Sequence, residues 1–279
     1  MYCSRNDEYC GDAPRRLVTC IRSLQEHLQA EPKLAEACEI LVIDWNSDHP
    51  LHLHEYWSEV PTTIPVRFCI VEPRVAAKAS DAKVSEVHAY NVGAKVATGR
   101  MLLRLDQDTL VGRRFIQFLL DWEPKDEVWW CTRRESSPRH YLPMVLDPNA
   151  FMLKHGDSLP QWNHSTVHDG YGAVGVFGVP RSIWLQIRGY DETYQHFGYM
   201  EVEFVTRLRM LYKLPCHNLD QELSTPFYHI WHTIQTTRPM NAVPERIQLV
   251  PNPATWGCTG ETIRIIARTN AGFVTQETT

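Results

Sequence analysis

Short apolar runs alternate with helix-patterned stretches through the first half of the chain, and this alternation restricts the fold more than any other feature. Residues 39–44, 64–71 and 101–105 are nearly continuous apolar runs, as is typical of parallel strands buried on both faces. Residues 14–28 and 84–97 carry apolar side chains at helical spacing between them. The order predicts an α/β fold with a mostly parallel, open, twisted sheet flanked by helices.

The second half of the chain is patterned differently. Residues 135–172 have no period and many polar, aromatic and proline residues, which favours a loop region that forms an active site. A strand is predicted near 172–179, and helices near 181–187 and 198–212. After residue 232 the chain is proline-rich and weakly patterned.

Charge and cysteine content narrow the function classes. The chain has 28 basic and 33 acidic side chains, a net charge of −5 and a pI near 6.2, which disfavours a general nucleic-acid binder. No apolar run approaches the ~20 residues of a membrane helix, and no leader is recognisable at the start. A cytoplasmic protein is the default expectation, with a trimmed Golgi-type chain left open. The eight cysteines are scattered without a CxxC pair, which predicts free thiols rather than disulfides or structural zinc.

Two acids stand directly after the third apolar run. Asp106 and Asp108 are two residues apart, so in an extended segment their carboxylates would face one point at the mouth of the sheet. A divalent cation shared with a polyphosphate would offset their charge, and oxygen ligands suit Mn²⁺ or Mg²⁺. D-x-D alone is a weak signal, and an acidic turn is the alternative; its position at the end of a buried strand favours the metal site.

From about residue 4 to residue 232, the chain resembles GT-A-fold glycosyltransferases, which bind nucleotide sugars through a Rossmann-like sheet. The resemblance rests on the order and spacing of several motifs: Ser4-Arg5-Asn6-Asp7, Ile43-Asp44-Trp45-Asn46, Asn91-Val92-Gly93, Leu105-Asp106-Gln107-Asp108, Gly189-Tyr190-Asp191-Glu192 and Gly198-Tyr199-Met200-Glu201. The last two resemble the acceptor-side signature of the inverting galactosyltransferase and GT2 groups. The chain departs from the family in its short first strand and in Met200-Glu201, where members usually carry Glu-Asp.

The resemblance implies a single GT-A domain over residues 1–279. Its parts would be a nucleotide-sugar-binding half (1–133), a smaller acceptor-binding and catalytic half (134–240) and a C-terminal extension (241–279). The implied nucleotide-binding residues are Ser4, Arg5, Asn6, Asp7, Asp44, Trp45, Asn91 and Asp106. Donor or acceptor contacts would come from Asp191, Glu192 and Gly198, and Trp162 is nominated for the acceptor from its place in the long loop.

The choice of catalytic base lies between two glutamates on the predicted helix. Glu201 and Glu203 point about 200° apart around the helix axis and cannot share a role. Glu201 shares a face with Val205 and Leu208, so we expect it to point inward as the base; a capping acid is the alternative. Glu203 is predicted to form a surface pair with Arg207.

Histidines near residue 230 are candidates to complete the metal site, as the resemblance implies. His232 is preferred and His229 is the alternative, because residues three apart in an extended segment face opposite ways. Imidazole ligation favours Mn²⁺ over Mg²⁺. A zinc site using His164 and His168 ranks low, since no helical metal-ligand pattern occurs.

The predicted activity is metal-dependent transfer of a sugar, with inversion, from a nucleotide diphosphate sugar such as a UDP-sugar to an acceptor hydroxyl of unknown type. One alternative is a nucleotide-sugar-binding protein of the same fold with weak or no activity. The other is a nucleotidyltransferase, which is disfavoured because no Gly-rich phosphate loop follows the first strand.

Overall fold

The structure is a computed structural model. It describes residues 1–7, 11–131, 135–136, 175–224, 227–230, 232, 239–242 and 247–278.

Nine strands of the described residues form one mixed sheet. The strands are β1 (Tyr2–Ser4), β2 (Ile40–Trp45), β3 (Val66–Val71), β4 (Met101–Asp106), β6 (Val128–Trp130), β8 (Val176–Pro180), β9 (Cys216–Asn218), β11 (Ile263–Thr269) and β12 (Gly272–Thr278). Their order in the sheet is β12-β11-β3-β2-β1-β4-β8-β6-β9. Strands β1 to β4 run parallel to one another, whereas β8 is antiparallel to β4 and β6, and β11 is antiparallel to β3 and β12. The predicted α/β class with a mostly parallel core is confirmed.

A second, three-stranded sheet lies beside the first. It has the order β5-β10-β7 and consists of β5 (Thr109–Val111), β7 (Glu135–Ser136) and β10 (Phe227–His229). β10 runs antiparallel to β5, with His229 opposite Thr109. This small sheet therefore brings the chain near residue 230 alongside the end of β4.

Helices connect the strands and cover both faces of the large sheet. They are α1 (Ala13–Gln29), α2 (Pro32–Glu36), α3 (Pro73–Ala79), α4 (Glu86–Val96), α5 (Arg113–Asp121), α6 (Arg181–Gln186), α7 (Met200–Leu211) and α8 (Leu219–Leu223), with 3₁₀ turns at Leu51–Leu53 and Glu55–Glu59. The predicted helices therefore appear with boundaries shifted by a few residues. None of the helices in the described ranges is long and apolar enough to cross a membrane.

Strand alternation divides the apolar residues between two cores. Val42 and Phe68 pack with Leu17 of α1 on one face of the sheet. Ile43 points to the other face, where it packs with Val92 of α4 and other buried residues. Because successive side chains of a buried strand face opposite sides, continuous apolar runs such as 40–43 supply both layers.

Two further observations concern the C-terminal hairpin and the cysteines. The β11–β12 hairpin was not predicted; it extends the sheet at β3, where Ile265 is paired with Cys69. The seven cysteines in the described ranges are free thiols, which confirms the prediction for those residues.

Candidate functional site

The strand order reverses between β1 and β4. Strands β2 and then β3 lie on one side of β1, whereas the next strand, β4, lies on the other side of β1. In open α/β sheets such a reversal leaves a crevice at the carboxyl ends of the two strands, where ligands bind. Ser4 at the end of β1 and Gln107 just after β4 are hydrogen-bonded across this point. This contact joins the loop after β1 to the turn after β4.

Asp108 and two histidines converge beside this crevice. The Nε2 atom of His232 lies 3.0 Å from Oδ2 of Asp108, and Nε2 of His229 lies 3.6 Å from Oδ1. One ligand atom from each residue falls within 4.8 Å of the other two. Asp108 is nearly buried, with 9% of its side chain exposed, while the histidines retain 19% and 16%. The group is thus enclosed but open on one side.

The two histidines were predicted to face opposite ways, and that expectation is wrong. Strand β10 ends at His229, so side-chain alternation does not continue to His232. The Ile230 amide donates to the backbone carbonyl of Asp108 at 2.8 Å, which holds Ile230 against the turn after β4. Both imidazoles then reach the same carboxylate.

The donor set of this cluster suits a divalent transition-metal cation. Ligands at right angles around an ion with bonds of about 2.1 Å are about 3 Å apart. The separations of 3.0 and 3.6 Å between histidine nitrogens and carboxylate oxygens are close to this spacing. Two imidazoles with one carboxylate suit Mn²⁺ better than Mg²⁺.

Asp106 has a different environment from Asp108. Strand β4 ends at Asp106, and Gln107 and Asp108 form a turn into β5. Because the alternation of an extended strand stops there, the two carboxylates do not share one point as expected. Oδ1 of Asp106 accepts a hydrogen bond from Nη2 of Arg104 at 3.1 Å, and Asp106 is not in the group of Asp108 and the histidines.

Arg104 is a central residue of the site that the sequence reasoning missed. Its guanidinium is 3% exposed and contacts Glu201 and, at 2.8 Å, Glu86, in addition to Asp106. Burial on its own would lower the pKa of Arg104, but the neighbouring carboxylates, that of Glu201 first, raise it well above its usual value. The available signal was a single charged residue inside an apolar strand, which is costly unless it is paired.

The two glutamates of α7 have different partners, and Glu203, which was expected at the surface, is the more buried of the two. Glu201, in the first turn, has 13% of its side chain exposed and contacts Arg104. Glu203 does pair with Arg207, but the pair is buried, with 3% and 0% exposed, so the predicted surface pair is wrong. Arg207 also donates to the carbonyls of Ile187 and Gly189, and these bonds allow its guanidinium to be enclosed. Burial raises the pKa of Glu203, although Arg207 opposes the shift.

The loop after β1, residues 5–7, forms a charged cluster at the carboxyl end of that strand. Ser4 and Arg5 are buried, whereas Asn6 and Asp7 are partly exposed. Nε of Arg5 lies 2.7 Å from Oδ2 of Asp7, and the exposed Lys83 approaches the same oxygen at 3.3 Å. The Asn6 amide donates to Oγ of Ser47 at 2.8 Å, which joins this loop to the one after β2.

Asp44 and Trp45, predicted to meet a nucleotide, are completely buried. The Asp44 carboxylate accepts hydrogen bonds from the Ser47 hydroxyl and, at 2.7 Å, from the Leu51 amide. Burial raises its pKa from 3.8 to about 6, although these two bonds oppose the shift. In this structure Asp44 holds the loop after β2, and Trp45 packs 5.9 Å from the His88 ring.

Asn91, also predicted to bind the nucleotide, is fully buried in α4 and holds the acceptor-side loop. Its amide donates to the Tyr190 carbonyl at 2.9 Å and accepts from the Tyr190 amide at 2.8 Å. Gly189 has a φ of +68°, and a Cβ there would lie 2.0 Å from Oδ1 of Asn91, so a glycine permits this approach. That role differs from direct contact with a nucleotide.

The other acceptor-side candidates lie along the same loop. Oδ1 of Asp191 accepts from the amide and hydroxyl of Thr193, at 2.9 and 2.7 Å. Glu192 accepts from Asn91 and from the Gly257 amide. Gly198, at φ +88°, has its carbonyl bound by Asn241. Trp162, His164 and His168 lie outside the described residues.

No protein-family model matches the chain, and no curated protein sequence matches it significantly. Several solved structures are similar to it. The chain is 13% identical to a Drosophila β1,4-galactosyltransferase 7 in complex with manganese, UDP-Gal and xylobiose, with a TM-score of 0.48, covering 88% of this chain and 76% of that one. It is also 13% identical to a Pyrobaculum calidifontis mannosyltransferase in complex with GDP-Man and Mn²⁺, with a TM-score of 0.47, covering 85% and 56%. These similarities are too distant to assign a donor or an acceptor.

Proposed function

We propose that this protein is a metal-dependent glycosyltransferase that moves a sugar, with inversion, from a nucleotide diphosphate sugar to an acceptor hydroxyl. The observation that carries the proposal is the convergence of Asp108, His229 and His232 beside the reversal of strand order between β1 and β4. A nucleotide bound in that crevice would have its diphosphate next to the three ligands. The sequence motifs that resemble GT-A enzymes agree with this arrangement.

Asp108, His229 and His232 would hold the cation, for which Mn²⁺ is a better match than Mg²⁺. When bound, it would neutralise the charge that develops on the departing diphosphate. Asp106 is bound to Arg104 and is outside the group of Asp108 and the two histidines. It would contact the nucleotide instead of the cation.

The nucleoside would lie against the loops after β1 and β2. Arg5, Asn6 and Asp7 directly follow β1, and Lys83 adds an exposed positive charge within 3.3 Å of Asp7. A UDP-sugar is the proposed donor. Asp44 would contribute by holding the loop on which Asn46 and Ser47 stand.

Glu201 would take the proton of the acceptor hydroxyl as the oxygen attacks the anomeric carbon. Its Oε1 is bound to Arg104, so Oε2 is the oxygen that can receive the proton. Attack from the side opposite the diphosphate inverts the anomeric centre, through an oxocarbenium-like transition state. Asp191, Glu192 and Gly198, on the loop before α7, together with Trp162, remain the proposed donor or acceptor contacts.

Release of UDP from a panel of UDP-sugars and simple acceptors, with and without Mn²⁺, tests the proposal. Wild type should release UDP only with Mn²⁺. Glu201→Gln should lower turnover by about 10²–10⁴-fold and leave Mn²⁺ binding intact, because it removes only the base. Glu36→Gln, at an exposed glutamate of α2, is the matched control and should match wild type.

The products also separate the two alternatives. A nucleotide-sugar-binding protein without turnover would be stabilised against heat by UDP-sugar and Mn²⁺ but would release no UDP. A nucleotidyltransferase would use a nucleoside triphosphate and release pyrophosphate. Either result would contradict the proposed transfer reaction.

A further inference from the structure

We propose that Arg104 is a positioning residue that holds the base Glu201 in a fixed relation to Asp106, and so joins the acceptor side of the site to the nucleotide side. This inference rests on the proposed function, because it assigns Glu201 to the acceptor and Asp106 to the nucleotide.

The contacts of Arg104 join three separate elements. Its Nη1 atom contacts Oε1 of Glu201 at the start of α7. Its Nη2 atom lies 3.1 Å from Oδ1 of Asp106 at the end of β4 and 2.8 Å from Glu86 at the start of α4. The guanidinium of Arg104 therefore lies between two carboxylates. One terminal nitrogen binds Glu201 and the other binds Asp106.

The strand geometry explains why an arginine at this position reaches both acids. Arg104 and Asp106 are two residues apart in β4, so their side chains leave the same face of the sheet. The guanidinium carbon lies 4.8 Å from the centre of the Tyr90 ring and 6.0 Å from that of Tyr190. Packing against these buried rings limits the positions that the guanidinium can take.

The planar fork of arginine matters more here than its charge. Arginine offers several N–H groups in fixed directions, whereas a lysine ammonium is a point charge on a flexible stem. Only the planar guanidinium can hold two carboxylates from different elements at a fixed distance from each other. Losing it would leave Glu201 close to the site but free to turn away from an acceptor, and a misplacement of about 1 Å can cost about 10²-fold in rate.

Arg104→Lys is the test, because it keeps the charge and removes the fork. We expect kcat for UDP release to fall about 10–100-fold, while the KM for the UDP-sugar and the affinity for Mn²⁺ stay within about threefold. The contacts among Asp108, His229 and His232 do not involve Arg104, so the affinity for Mn²⁺ should not change. Arg67→Lys, which changes an arginine of β3 that is paired with Glu39, is the matched control and should keep wild-type kcat.

The outcomes separate this inference from the proposed function. An active wild type with kcat unchanged in Arg104→Lys would overturn the inference alone. A parallel loss of Mn²⁺ affinity and kcat would also overturn it, since Arg104 would then only support the fold. A wild type that transfers no sugar would overturn the proposed function and this inference with it.

If Arg104→Lys does not fold, Arg104→Ala with added guanidinium tests the same claim. The free ion can occupy the vacated space between the carboxylates. Recovery of turnover with guanidinium, and not with ammonium, would support the positioning role. Failure to recover in a protein that still binds Mn²⁺ would contradict it.

Discussion

Replacing Asp44 with asparagine should remove a pH dependence of stability that the buried carboxyl creates. Asp44 is fully buried at the end of β2, between the Ser47 hydroxyl and the Leu51 amide. Asparagine can keep both contacts, since its oxygen can accept from Leu51 and its amide can donate to Ser47. The substitution therefore removes the titration and keeps the local structure.

The size of the effect follows from the shifted pKa. Folding raises the pKa of Asp44 from 3.8 to about 6, so the folded state holds the proton more tightly than the unfolded state. Stability must then fall as the pH rises through this window, and be constant above it. With ~1.4 kcal/mol for each pKa unit, the shift from 3.8 to about 6 gives a loss of about 3 kcal/mol.

Urea unfolding of wild type and Asp44→Asn between pH 4 and 8 measures this effect. The free energy of unfolding of wild type, relative to the variant, should fall by about 2 kcal/mol from about pH 4 to pH 7, because part of the total loss of about 3 kcal/mol occurs below pH 4. Other titrating groups cancel in the difference. A constant difference, or a wild type that gains stability as the pH rises, would refute the reasoning, because Asp44 would then titrate without a raised pKa.

Two further predictions concern buried contacts away from the site. Arg207→Met leaves the buried Glu203 carboxylate without its cation and should lower the free energy of unfolding by about 3–5 kcal/mol at neutral pH. Urea unfolding would show this, and a second change, Glu203→Gln, should recover part of the loss. Gly178→Ala would place a Cβ 2.8 Å from the Trp129 ring. It should cost about 1–3 kcal/mol in the same assay, and an unchanged midpoint would contradict the tight packing described.

The strands of the parallel core could be predicted from sequence because burial on both faces makes them continuous apolar runs. The β11–β12 hairpin was missed because it follows a proline-rich stretch, and its edge strand, with Phe273 and Val274 partly exposed, has no continuous apolar run.

At the site, sequence identified the three residues of the candidate metal site but not how they meet. Asp108, His229 and His232 were candidates, yet their convergence depends on the turn after β4 and on the end of β10, which have no strong local signal. Glu203 was predicted to be solvated because pairing at i,i+4 also occurs on helix surfaces; its burial depends on carbonyls of residues 187 and 189 that sequence spacing does not reveal. Arg104 was overlooked because two of its three partners, Glu86 and Glu201, come from other parts of the chain.

Mn²⁺ binding followed by electron paramagnetic resonance tests the central claim most directly. Wild type should bind a single Mn²⁺ per chain, and Asp108→Asn, His229→Gln and His232→Gln should each weaken binding by about tenfold or more. His49→Gln, at an exposed position, should bind Mn²⁺ as wild type does. A wild type that binds no Mn²⁺, or three cluster variants that bind it as tightly as wild type, would contradict the account.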